Sequence, residues 1–350
     1  PPPAPRLARP IFLLLILLGL CFLSVYAISI NYGRRSTIMK NASRIRRKLD
    51  LAVAEGKLPM SVALVANSDD VLFNYASGFR DVEKRQSMRT DSIFAIASMT
   101  KLITTIAILQ LVESEQVNLD SGLDQYLPDT ANPRILQGFD GEENPIFINA
   151  SRSPTIRELI THTSGYVYSI WNEMALSTEK KGVTSSFGEG RNLIITPLYF
   201  EPGSKWEYGV GIDLLGLIVE QISGKRLMDF FEERIFLPLQ MEDTFFEFPL
   251  DKMDRAVMMT ARVKNELVKS ELYQPIAAER GSMSFYNGGG GLYSTVDDYA
   301  RIMRALLNEG TLDGKRILSK GMVNQMFKNH IGSLNVLPGN CLLYTSPSPR

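Results

Sequence analysis

Histidine and cysteine are both scarce in this chain, two of each in 350 residues. His162 and His330 lie far apart, and no HExxH helix or paired CxxC accompanies them, so the common zinc ligand sets are missing. Cys21 falls in an apolar run and Cys341 in the last ten residues, which leaves no disulfide framework to read. An excess of one charge is missing too. Lysine plus arginine equals aspartate plus glutamate at 38 each, so no net field favours nucleic acid or an acidic substrate. There is no G-x-S-x-G elbow, and His162 in THTSGY has no evident carboxylate to orient it, which removes the support for a Ser-His-Asp triad. The glycine run 288–291 lacks the GK[ST] of a phosphate loop and reads as a tight turn before a helix.

What is present begins with a long apolar run. Ile11–Ile30 is free of charge and follows Arg6 and Arg9, and twenty such residues suffice to span a bilayer as a helix. An uncleaved signal anchor is expected there, with a signal peptide cleaved near Val25-Tyr26-Ala27 as the alternative. Arg34, Arg35, Lys40, Arg44, Arg46, Arg47 and Lys48 crowd the far side, which by the positive-inside tendency would keep the body in the cytoplasm. The same charges also suit a solvated helix face or anionic lipid.

Further along, apolar residues at Ile45, Leu49, Ala52 and Val53 mark an amphipathic helix that Gly56 and Pro59 stop. SVALVAN and VLFNYASG, separated by Ser68-Asp69-Asp70, predict a hairpin. From Ser98 to Val112 almost no polar face is left, the mark of a buried helix. TIRELITHTSG predicts a short helix ended by Gly165, and GIDLLGLIVEQISGK a second apolar helix ended by Gly224. A helix starting at Ser294 or Thr295 carries Asp297 and Asp298 in its first turn, where acids suit the dipole. A hairpin followed by a helical middle points to an α+β fold.

Ser98 and Lys101, in FAIASMTKLIT, stand three positions apart at the head of the buried helix. At that spacing their Cβ atoms are roughly 5–6 Å apart on one face. A serine beside a desolvated amine, at the positive end of a helix, has what an activated nucleophile needs. A plain helix start with a snorkelling lysine fits the pattern equally well. Ser177 and Lys180 repeat the SxxK spacing among charges, where the segment reads as exposed chain.

Several stretches together, in order, resemble the serine β-lactamase and penicillin-binding-protein superfamily, and in particular its class C-related esterase branch (family VIII type). They are SIFAIASMTKLITTIAILQLVESEQVNLDSGLDQYLP, TIRELITHTSGY, EPGSKWEYGVGIDLLGLIVEQISGK, PLQMEDTFF and GGGGLYSTVDDYARIM. The resemblance covers about residues 45–310. It implies an antiparallel sheet flanked by helices, with a helical subdomain beside it. It makes Ser98 the acylated nucleophile, Lys101 its proton partner and Tyr208 of WEYGVG the residue sharing general-base duty, the last two as one hydrogen-bonded unit. No metal or organic cofactor is implied. Where lactamases and peptidoglycan peptidases carry an asparagine that binds the substrate amide, this chain has Val210. Ester or related acyl substrates are therefore expected ahead of lactams. The alternatives are a lactamase or D-alanyl-D-alanine peptidase, an acyltransferase, and a catalytically silent binding relative.

The resemblance also implies export, with the body outside the cytoplasm (periplasmic or extracellular) and the membrane reached through residues 11–30. Residues 1–35 are expected to form a tail and anchor, and 36–340 the hydrolase domain. Residues 341–350, CLLYTSPSPR, resemble the translation of a transposase sequencing adapter. The domain is accordingly expected to be incomplete, its last strands and third motif missing.

Overall fold

The computed structural model describes residues 11–17, 24–30, 35–183, 191–194, 196–264, 266–270 and 274–336. Its first elements correct the sequence reading. Strands β1 (Ile11–Leu17) and β2 (Ser24–Ile30) pair antiparallel, Ile11 opposite Ile30 and Leu17 opposite Ser24, where one membrane helix was expected. Apolar length measures transfer into lipid and does not select helix over strand, and Ile11, Ile16, Val25, Ile28 and Ile30 are β-branched. Among the described residues no helix is long and apolar enough to cross a membrane. Residues 337–350, including the adapter-like stretch, lie outside the described residues.

The chain divides into two compact units. One comprises the chain up to Ala97, Phe236–Met283 and Leu292–Ile317. Helix α1 (Arg35–Ala54) starts well before its Ile45–Val53 stripe and stops ahead of Gly56. The expected hairpin follows as β3 (Met60–Ala66) and β4 (Val71–Asp81), with Val65 opposite Phe73. Asn67 holds the turn, its Oδ1 accepting from the N–H groups of Asp69 at 2.9 Å and Asp70 at 2.6 Å. A short β5 (Gln86–Ser87) adds a third strand beside β4. Ala63, Val65 and Phe73 pack against Ala42, Ile45 and Leu49 of α1. Ser77 Oγ donates to Asp50 of the same helix at 2.7 Å.

Helix α9 (Val296–Leu307) also lies along β3, its N-terminus capped by Thr295, whose Oγ1 accepts from the Asp298 N–H at 3.1 Å. Helices on both sides bury all seven β3 residues, where a one-sided antiparallel strand would alternate. Each large side chain so buried stabilises the unit by about 1.5–3 kcal/mol. This unit also holds a single turn α8 (Leu237–Leu239), a 3-10 helix (Leu250–Arg255) and three strand pairs. These are β6 (Phe94–Ala95) with β11 (Tyr293–Ser294), β9 (Thr260–Val263) with β10 (Glu266–Lys269), and β12 (Thr311–Leu312) with β13 (Lys315–Arg316).

The second unit, Ser98–Ile235 with Ser284–Gly291 and the chain from Leu318, is mainly helical. Helix α2 (Thr100–Glu113) buries eleven of its fourteen residues, as its lack of a polar face demands. A hairpin, β7 (Arg134–Phe139) with β8 (Pro145–Asn149), follows. Helix α3 (Ile156–Ile160) opens with a capping box between Thr155 and Glu158, and ends short of Gly165 because His162 turns left-handed at φ 58°. Ser177 and Lys180 belong to a helix, α4 (Glu173–Lys180), capped by Asn172; Lys180 is exposed and Ser177 half-buried. After α5 (Arg191–Ile194) comes α6 (Gly211–Ser223), against which α2, α3, α5 and α7 (Leu227–Phe231) all pack. Helix α10 (Lys320–Met326) is capped by Ser319.

Candidate active site

Ser98 sits in a short 3-10 turn, Ala97–Met99, immediately before α2. Ala97 is left-handed at φ 42°, a conformation most residues avoid, and α2 starts three residues later at Thr100. The result is a serine exposed to solvent while both residues after it are buried. Lys101 follows in the first turn of α2, with only 8% of its surface exposed. Its ammonium donates to Ser98 Oγ at 3.3 Å and to the Gly289 carbonyl at 2.6 Å. The contact anticipated from the three-residue spacing is therefore made.

Tyr208 lies on the segment leading into α6, half-buried. Lys101 Nζ stands 4.9 Å from the Tyr208 ring centroid and 5.2 Å from that of Tyr168, a cation between two aromatic faces. The structure thus brings Ser98, Lys101 and Tyr208 together. One detail differs from expectation: among the described residues the lysine meets Tyr208 through the ring face, with no hydrogen bond from the Tyr208 hydroxyl to Lys101. Gly209 fixes the position of the tyrosine. A Cβ there would stand 2.1 Å from the Tyr166 carbonyl oxygen, so no other residue permits this approach.

His162 packs its ring 4.6 Å from that of Tyr208, and its Nδ1 accepts from the Gly209 N–H at 3.3 Å, which places the ring proton on Nε2. Burial, and then the charge of Lys101, push its pKa down to about 3. It is neutral at ordinary pH and too weak a base to serve Ser98.

Four participants went unread in the sequence: Asp213, Tyr168, Gly288 and Gly289. Asp213 is 2% exposed in the first turn of α6. Its Oδ1 accepts from the Gly289 N–H at 2.9 Å and its Oδ2 from the Tyr168 hydroxyl at 2.8 Å. Burial pushes its carboxyl upward, while Lys101 and these two donors oppose that. The glycine run, read as a plain turn, supplies two buried acceptors, Gly288 O for Thr104 Oγ1 at 2.6 Å and Gly289 O for Lys101. A Cβ at Gly289 would stand 2.3 Å from Asp213 Oδ2. An acid in the first turn of GIDLLGLIVEQI, ahead of an apolar run, was the available signal. Val210, at the start of the same helix, is fully buried.

A family model described as Beta-lactamase matches residues 45–333. A lovastatin esterase from Penicillium rubens is 32% identical over 292 residues, covering 80% of this chain and 71% of the esterase. An acyltransferase from Monascus pilosus is 30% identical over 304 residues, covering 82% and 72%. A mutant simvastatin synthase from Aspergillus terreus superposes with a TM-score of 0.71 at 28% identity, covering 85% of this chain and 72% of that one.

Proposed function

The chain belongs to the β-lactamase family, as a serine hydrolase with the esterases and acyltransferases among its relatives, and we propose that it moves acyl groups from ester-type substrates through an acyl-enzyme on Ser98. The observation that carries this is the exposed Ser98 Oγ with the buried Lys101 ammonium 3.3 Å away. In the form of the Lys101–Tyr208 pair that has lost one proton (amine with phenol, or ammonium with phenolate), the Oγ proton passes to the pair as Oγ bonds to the acyl carbon. The proton then goes to the alkoxide that leaves when the ester C–O bond breaks. Water or a second alcohol attacks the acyl-enzyme, and the same pair takes and returns its proton, freeing Ser98. The free N–H groups at the head of α2 favour the negative charge that builds on the carbonyl oxygen.

A fluorophosphonate probe tests this directly. Wild type should label at one site and hydrolyse p-nitrophenyl esters, and Ser98→Ala should lose both while unfolding at an unchanged temperature. Full esterase activity in Ser98→Ala would remove the mechanism altogether.

We also propose that the catalytic body works outside the cytoplasm, with residues 11–30 as leader or tether. The charge-free run behind Arg6 and Arg9 supports it. A two-stranded pair leaves edge groups unpaired in lipid, so membrane use requires the segment to turn helical there. Protection of a tag placed at residue 36 from protease added to spheroplasts, whose periplasm is open, would overturn it.

A further inference from the structure

A carboxylate inside an apolar helix costs several kcal/mol of desolvation unless something answers it. Asp213 is such a group, and its partners lead back to the nucleophile. Resting on the acyl-enzyme reading above, we propose that Asp213 is a positioning residue of the acylation machinery, acting through the Gly289 peptide and the Tyr168 hydroxyl to hold Lys101 against Ser98.

The contacts close a ring. Lys101 donates to Gly289 O at 2.6 Å, and the N–H of the same residue donates to Asp213 Oδ1 at 2.9 Å, sharing that proton with Asn287 Oδ1 at 2.9 Å. Asp213 Oδ2 accepts from Tyr168, whose ring lies under the Lys101 ammonium at 5.2 Å. Asp213 therefore fixes two of the groups that surround the ammonium without touching Ser98. Ordinary capping of α6 does not explain it, because an acid that only complements a helix N-terminus has no need to be 2% exposed.

Asp213→Asn keeps an acceptor for the Gly289 N–H and removes the charge together with the acceptor for the Tyr168 hydroxyl, towards which its amide N–H now donates. In full-length protein, kcat/KM for p-nitrophenyl butyrate should fall about 10–100-fold, the usual loss when a supporting partner of a reactive group is removed. The loss should fall on kcat with KM unchanged, because Asp213 does not touch substrate. Ser98 should still label stoichiometrically at long times, which separates this test from the acyl-enzyme reading, since failure of that reading would abolish labelling in wild type. A wild-type rate overturns the proposal, and so does a loss carried by KM alone. Should Asp213→Asn fail to fold, Tyr168→Phe carries the test: it removes the donor to Oδ2 and keeps the ring, and should lower kcat in the same way. Wild-type kinetics in Tyr168→Phe would then overturn it.

Discussion

At the residue scale, Lys101 and Tyr208 share one proton-handling task on Ser98. Lys101→Ala and Tyr208→Phe should each lower kcat/KM by about 10²–10⁴, the range for general acid–base groups, and the double variant little further. Additive losses would show two independent roles. His162 offers a separate test through stability. The ordinary imidazole pKa is about 6.5, and the folded value is about 3, so between these values the unfolded chain binds a proton that the native state refuses. The contribution of neutral His162 is whole above pH 6.5 and is lost as pH falls toward 3, at about 1.4 kcal/mol per pH unit. His162→Asn retains an acceptor for Gly209 and tolerates the left-handed backbone. Denaturant titrations at pH 6.5 and pH 5 should show a smaller drop for the variant than for wild type, and equal drops would sink the assignment.

At the scale of elements, the legible parts were those whose pattern is local. The β3–β4 hairpin, α2, α6 and α9 each announce themselves through periodicity, turn residues or a cap, and all four stand where expected. Ser98 and Lys101 were legible for the same reason, being one helical turn apart. What escaped is joined across long stretches: Gly289 meets Lys101 over 188 residues and Asp213 over 76. A glycine run shows that the backbone is closely approached and does not name what approaches it. The apolar run at residues 11–30 failed differently, since composition without periodicity leaves helix and strand undecided. Gly209 shows how tightly such approaches are held. Gly209→Ala must displace Tyr166 or Tyr208, and the tyrosine next in the chain moves with it. Its kcat/KM should fall by at least about 100-fold, the cost that a misplacement of about 1 Å can carry, while the protein remains folded by circular dichroism. An active Gly209→Ala enzyme would mean that the position of Tyr208 is not critical.

At the scale of the whole molecule, the chemistry belongs to one of the two units: Ser98, Lys101, His162, Tyr168, Tyr208, Asp213 and Gly289 all fall in the helical one. Which acyl compounds that unit prefers depends on the polar groups it offers beside the nucleophile. A site that answers a substrate amide with a hydrogen bond separates it strongly from analogues that lack it, whereas apolar contacts discriminate only weakly. Position 210, where lactam-binding relatives are expected to carry that group, holds a valine with none of its surface exposed. A single Val210→Asn change would thus place an amide at a fully buried position at the head of α6. The enzyme should therefore turn over p-nitrophenyl butyrate with a higher kcat/KM than nitrocefin, and Val210→Asn should lower stability without raising nitrocefin hydrolysis. A nitrocefin kcat/KM above that for the butyrate ester would reverse the preference, and a gain of lactam turnover in Val210→Asn would show that the position faces substrate after all.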